Sequence, residues 1–165
     1  MVFGSFLMLL WSIQIAEAMV VWTDHATVKI RREISLTPPK ADRTSAVLKA
    51  AKNESEAFQL VVSADQGNLS GVDVTVGDLT DPNGNIISSS SIMIYKEAFM
   101  NITTRSTIEG ATGYWPDALI PKKDEYTGEV RNAFPFSVTA GRNQPVWIEV
   151  YVPQTAPAGV YTGLA

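Results

Sequence analysis

The chain has 165 residues, a net charge of −4, 45% apolar residues and 18% charged residues, which suits a globular domain with its own core and excludes a disordered chain. It has no cysteine and one histidine, His25, so disulfides, thiolate sites, cysteine nucleophiles and histidine-rich metal centres drop out, and no cofactor is implied. The basic residues are scattered, which argues against a nucleic-acid stripe and against a patch for an anionic membrane.

The first segment reads separately. Phe3 to Ile15 is mostly apolar, and Ala16-Glu17-Ala18 fits an A-x-A cleavage site. Met1 to Ala18 is therefore expected to be a secretory signal, although no Lys or Arg precedes Lys29. The apolar run is shorter than the roughly 20 residues a membrane helix needs. Cleavage after Ala18 would leave residues 19–165 as a secreted or periplasmic domain, free of the membrane.

Ala26 to Ile34 alternates Thr27, Lys29 and Arg31 against Val28, Ile30 and Arg32, which predicts an edge strand blunted by charge. His25, just before it, is expected in solvent. Thr37-Pro38-Pro39-Lys40 breaks the pattern. Ser45 to Ala51 fits either a helical turn or a strand, and its position favours a strand. Asn53 to Ala64 is the clearest element. Phe58, Leu60 and Val62 share one side at period two, while Gln59, Val61 and Ser63 share the other, predicting a half-buried strand.

Val72, Val74 and Val76 predict another strand. Asp81-Pro82-Asn83-Gly84-Asn85 is a turn, because proline fixes φ and Asn-Gly accepts positive φ. Ile92 to Phe99 is a strand. Asn101 to Glu129 reads as a long irregular connection, ordered by Tyr114, Trp115, Leu119 and Ile120. Ala133 to Thr139 and Pro145 to Val152 are the last clear strands. Phe58, Leu60, Val62, Val74, Ile148 and Val150 are the candidate core. About seven short strands between turns predict an all-β, two-sheet antiparallel β-sandwich, immunoglobulin-like or jelly-roll-like. The stop at Ala165, on what reads as the start of a strand, suggests a fragment of a longer protein.

Three stretches carry a family resemblance. Ala51-Lys52-Asn53-Glu54-Ser55-Glu56-Ala57-Phe58-Gln59 resembles an A-R-N-E-x-E-x-F-Q segment. Tyr114-Trp115-Pro116-Asp117-Ala118-Leu119-Ile120-Pro121 resembles a W/Y-P-D-x-L-[IL]-P loop. Asn143-Gln144-Pro145-Val146-Trp147 through Tyr151-Val152-Pro153, followed by Ala156-Pro157-Ala158-Gly159-Val160-Tyr161-Thr162-Gly163, resembles a third ordered motif. Together, from Val28 to Gly163, they look like the N-terminal β-sandwich of glycoside hydrolase family 123. The resemblance implies a C-terminal (β/α)8 catalytic barrel as partner, with an adjacent Asp-Glu pair acting on terminal N-acetylgalactosamine by a substrate-assisted route. None of those catalytic residues maps onto this chain. Lys52 departs from the family's arginine, so a bidentate pair at that corner becomes monodentate.

Other chemistry is weak. Glu54 and Glu56 share one side of a strand, at a separation an inverting glycosidase pair could use, but such pairs face a cleft from separate elements. Trp115-Pro116-Asp117 resembles the acid loop of tyrosine phosphatases, which needs the missing cysteine. Asp81-x-Asn83-x-Asn85 starts like a calcium loop, but Ile86 and Ile92 replace its glycine and glutamate. The residues left as candidates for an interdomain or carbohydrate contact are Trp115, Asp117, Trp147, Glu149 and Tyr151. Trp147 and Tyr151 are expected on the face opposite Ile148 and Val150. The expected function is a non-catalytic module that packs on and orients a barrel. The alternative is an independent carbohydrate-binding module, with glycan as ligand.

Overall fold

A computed structural model describes residues 19–165, so the expected signal, Met1 to Ala18, lies outside the described residues. The strands are β1 (Met19–His25), β2 (Glu54–Ala64), β3 (Leu69–Val72), β4 (Leu79–Thr80), β5 (Ile86–Ile87), β6 (Ile92–Ile102), β7 (Gly113–Pro121), β8 (Phe136–Val138) and β9 (Arg142–Val152). Among the described residues the only helical turn is a 3-10 turn at Ser89–Ser91. The fold is all-β and antiparallel, as the alternation predicts.

Five strands form one sheet in the order β1-β2-β9-β6-β7. The central pair is the longest: Glu54 lies opposite Val152, Phe58 opposite Ile148 and Ala64 opposite Arg142. This register puts Leu60, Val62, Val146, Ile148, Val150 and Ile92 on one face. Phe136 and Val138 of β8, with Leu69, Val72, Val74 and Leu79, pack onto that face. The second layer is thus two separate two-stranded ladders, β3-β8 and β4-β5. Val146 and Ile148 are completely buried, and each such side chain contributes about 1.5–3 kcal/mol through its lost water contact. The candidate core is found here, with Phe58 half-buried at its margin.

The other face of β2 corrects the half-buried expectation. Val61 is fully buried in a second cluster with Trp22 of β1 and Ile30. Ile30 belongs to the predicted strand of residues 26–34, which is not a strand. It crosses the sheet as an irregular strap, because its carbonyls bond to side-chain amides from the sheet. Gln59 Nε2 donates to His25 O and Val28 O, and Asn143 Nδ2 donates to Arg31 O and Thr37 O. Asn143 Oδ1 accepts from Ser63 Oγ, which accepts from Trp22 Nε1. Asp24 fixes the far end of the strap through Lys40 and Arg43. Burial pushes the Asp24 carboxyl up, but these partners and the His25 N–H outweigh it and hold the pKa low.

Three further expectations change. Ser45 to Ala51 is neither strand nor helix; it is an extended, mostly exposed run held by Thr23 Oγ1, which donates to Ser45 O. The Val72 to Val76 alternation is real in burial, since Val74 is buried, but pairing stops at Val72. The connection predicted from Asn101 to Glu129 contains β7, an edge strand paired with β6. Pro116 and Pro121 hid it, and both are tolerated because an edge strand does not need every N–H in the ladder. His25 is exposed at the end of β1, as expected.

Candidate functional site

Trp147, Glu149 and Tyr151 lie on β9 on the face away from Ile148 and Val150, as the period of two requires. Towards β2, Trp147 sits opposite Gln59; towards β6, it sits opposite Tyr95. Glu149 lies between Ala57 and Met93. The strap covers only the Trp22–Val61 half of this face. The other half keeps Trp147, Tyr95, Met93 and Glu149 partly exposed, with Leu119 of β7 and Tyr151 exposed at its margins. The Tyr151 hydroxyl donates to Asn53 Oδ1, across a corner where Asn53 adopts φ +63°, a conformation asparagine tolerates better than most residues.

The structure separates the remaining candidates from this cluster. Trp115 and Asp117 are on β7, with β6 between them and β9. Between the Glu97–Leu119 and Phe99–Pro116 pairs, β7 carries one residue more than β6. Such a bulge reverses the side-chain phase. Tyr114 therefore shares the Trp147 face and Trp115 does not. Trp115 is held in its own arrangement: its indole N–H donates to Ala111 O, and the Arg31 guanidinium lies 4.0 Å from its ring centre. Asp117 is exposed.

Glu97, which the sequence reading missed, belongs to the cluster. It is 5% exposed on β6, across from Leu119 and one diagonal step from Trp147. Burial pushes its carboxyl up to about 7, against the opposing charge of Lys29. The Tyr95 phenol is also raised, by burial first and then by the carboxylates of Glu149 and Glu125. Among the described residues, three buried side-chain atoms have no hydrogen-bond partner: Gln59 Oε1, Trp147 Nε1 and Glu97 Oε1. All three belong to this one face, on the adjacent strands β2, β9 and β6. Buried polar groups are nearly always paired, so this concentration sets the face apart from the rest of the domain. The signal in the sequence was a lone acid inside the apolar run from Ile92 to Phe99.

Glu54 and Glu56 form no acid-base pair over a cleft. They sit at the start of β2 on the Phe58 side, opposite Val152 and Val150, and Glu54 accepts from Ala51 N–H. Among the described residues no group of His, Asp and Glu could hold a metal ion.

The family model for the glycoside hydrolase 123 N-terminal domain matches residues 31–165. This chain belongs to that family. A solved structure with a similar fold is a family 123 glycoside hydrolase from Clostridium perfringens, described in a structural study of glycolipid glycan hydrolysis. The two share 18% identity at a TM-score of 0.63, over 88% of this chain and 23% of the clostridial one. No curated protein matches the chain. The match spans the second and third motif stretches and the Asn53 corner, so the family 123 resemblance read in the sequence holds.

Proposed function

We propose that this chain is a non-catalytic β-sandwich module of a secreted family 123-like glycoside hydrolase, and that it packs on and orients a catalytic barrel. The observation that supports this most is the half-covered sheet face. Trp147, Tyr95, Met93 and Leu119 offer apolar surface there, and the three unpaired polar atoms lie beneath it. Apolar patches of this kind mark interaction surfaces. A partner body would exclude water from the aromatic rings and fix one orientation of the two domains. Trp147, Glu149 and Tyr151 are the contact residues in this reading. Trp115 and Asp117 act at the hairpin, outside the main contact.

The same face supports a carbohydrate-binding reading. Tyr95 and Trp147 face each other across the ladder, and Glu149 is a polar neighbour able to accept from sugar hydroxyls. Titration with N-acetylgalactosamine and neutral glycans, followed by tryptophan fluorescence, separates the readings. Docking requires no saturable response at millimolar sugar, where binding would be worth only about −4 kcal/mol. A saturable response abolished in Trp147→Ala would favour the carbohydrate reading. Secretion is tested by sequencing the N-terminus of exported protein, which should start at Met19.

A further inference from the structure

A second feature lies at the far end of β6, whose last residue, Ile102, is seven residues, or about 23 Å of strand, from Tyr95 beside Trp147. Here Arg31, Thr103, Thr104, Arg105 and Thr112 line a shallow concavity at the tip of the β6–β7 hairpin. No carboxylate lines it, although the chain as a whole is acidic.

Arg31 is built into this place. Its guanidinium stacks on Trp115, its Nε donates to Tyr114 O, and its Nη2 donates to Thr112 O. Gly113, at φ +100°, leaves the room it occupies: a Cβ there would stand 2.9 Å from Arg31 Nη2. The neighbouring Arg32 is already neutralised by Glu33 and stacks on Tyr114. Among the described residues Arg31 Nη1 donates to no group. Arg105 donates only from Nη1, to Ile108 O, which leaves its other N–H groups uncommitted. Two arginine forks with free donors, beside threonine hydroxyls and without a competing carboxylate, match the geometry of an oxyanion.

We propose that this concavity is an oxyanion-binding site, in which Arg31 and Arg105 hold a carboxylate or sulfate group of the kind acidic sugars carry. Stacking and two carbonyls fix the Arg31 fork before the ligand arrives, so little side-chain freedom is lost on binding. Arg105 comes from the hairpin loop and closes the other side. The threonine hydroxyls have both donor and acceptor capacity for the remainder of the ligand.

The test is titration of the chain at low ionic strength, where surface electrostatics are least screened. Inorganic sulfate, N-acetylneuraminic acid and neutral N-acetylgalactosamine serve as probes, and the indole N–H resonances of Trp115 and Trp147 as readouts. The site predicts a saturable shift of the Trp115 resonance with N-acetylneuraminic acid and no shift of Trp147. A matching response to sulfate assigns binding to the oxyanion itself; a weaker one adds contacts from the sugar. Arg105→Gln, an exposed change, should weaken binding about tenfold or more, the loss expected for a charge-assisted hydrogen bond, at unchanged melting temperature. Arg31→Lys keeps the charge but loses the fork and should weaken binding as well. Absence of saturation, an equal response to the neutral sugar, or unaltered binding in Arg105→Gln would overturn the site.

Discussion

Gln59 and Trp147 face each other across β2 and β9, yet neither Gln59 Oε1 nor Trp147 Nε1 has a hydrogen-bond partner. Gln59 Nε2, by contrast, is fully used in tying down the strap through His25 O and Val28 O. The amide thus stands at the boundary between a finished half of the face and an open one. Replacing Gln59 with Leu should release the strap, because two part-buried carbonyls lose their donor. Each lost bond is worth about 0.5–1.5 kcal/mol. Faster hydrogen exchange confined to residues 26–37 would accord with this; a uniform change across the sheet would not.

Asn143 holds the other end of the strap. Its side chain accepts from Ser63 and donates to Arg31 O and Thr37 O, while its backbone N–H donates to Arg32 O. Asn143→Ala leaves the buried Ser63 hydroxyl without an acceptor and two carbonyls without a donor, so a loss of several kcal/mol is expected, a large share of a domain's total stability. Chemical denaturation measures it. A midpoint equal to that of the parent would mean the strap does not depend on this side chain.

In the main core, Ile148→Ala should cost about 2–5 kcal/mol, because the site is closed by both layers and cannot collapse. Phe58→Ala should cost less than full burial would imply, since Phe58 sits half-exposed at the edge. If the order of the two were reversed, the burial pattern along β2 would be misassigned.

These mutations also show what could be read from the chain. Period two located β2, β6 and β9 and the side on which Leu60, Ile148 and Val150 point, because burial on one face imposes that period. It also placed Trp147, Glu149 and Tyr151 together. It could not show that Val61 is buried too, since what covers it is the strap, whose Lys29, Arg31 and Arg32 read as a solvated edge. It missed β7 because Pro116 and Pro121 resemble loop punctuation. The bulge that parts Trp115 from Trp147 is a property of the β6–β7 pairing, which no single stretch encodes. Glu97 was passed over because its meaning depends on neighbours from three strands.

Glu97 makes the domain sensitive to pH. Burial raises its carboxyl from an ordinary 4.5 to about 7, so the folded chain keeps a proton that the unfolded chain has already lost. Its contribution is fully present below about pH 4.5 and is lost as pH rises to about 7. The total is on the order of 3 kcal/mol. Glu97→Gln removes that loss. The difference in stability between variant and parent should therefore grow across this window in favour of the variant. A difference independent of pH would mean Glu97 is solvated.

The chain alone should not hydrolyse nitrophenyl glycosides, including the N-acetylgalactosaminide, because Glu54 and Glu56 do not face a cleft from separate elements. Turnover that disappeared in Glu54→Gln or Glu56→Gln would contradict the non-catalytic reading.

The most direct measurement is hydroxyl-radical footprinting of Trp147 and Tyr95, comparing this chain alone with the same chain joined to a family 123 catalytic barrel, the partner proposed above. If the half-covered face seats the barrel, both rings are labelled in the isolated domain and protected in the joined protein. Equal labelling in the two would contradict the docking account.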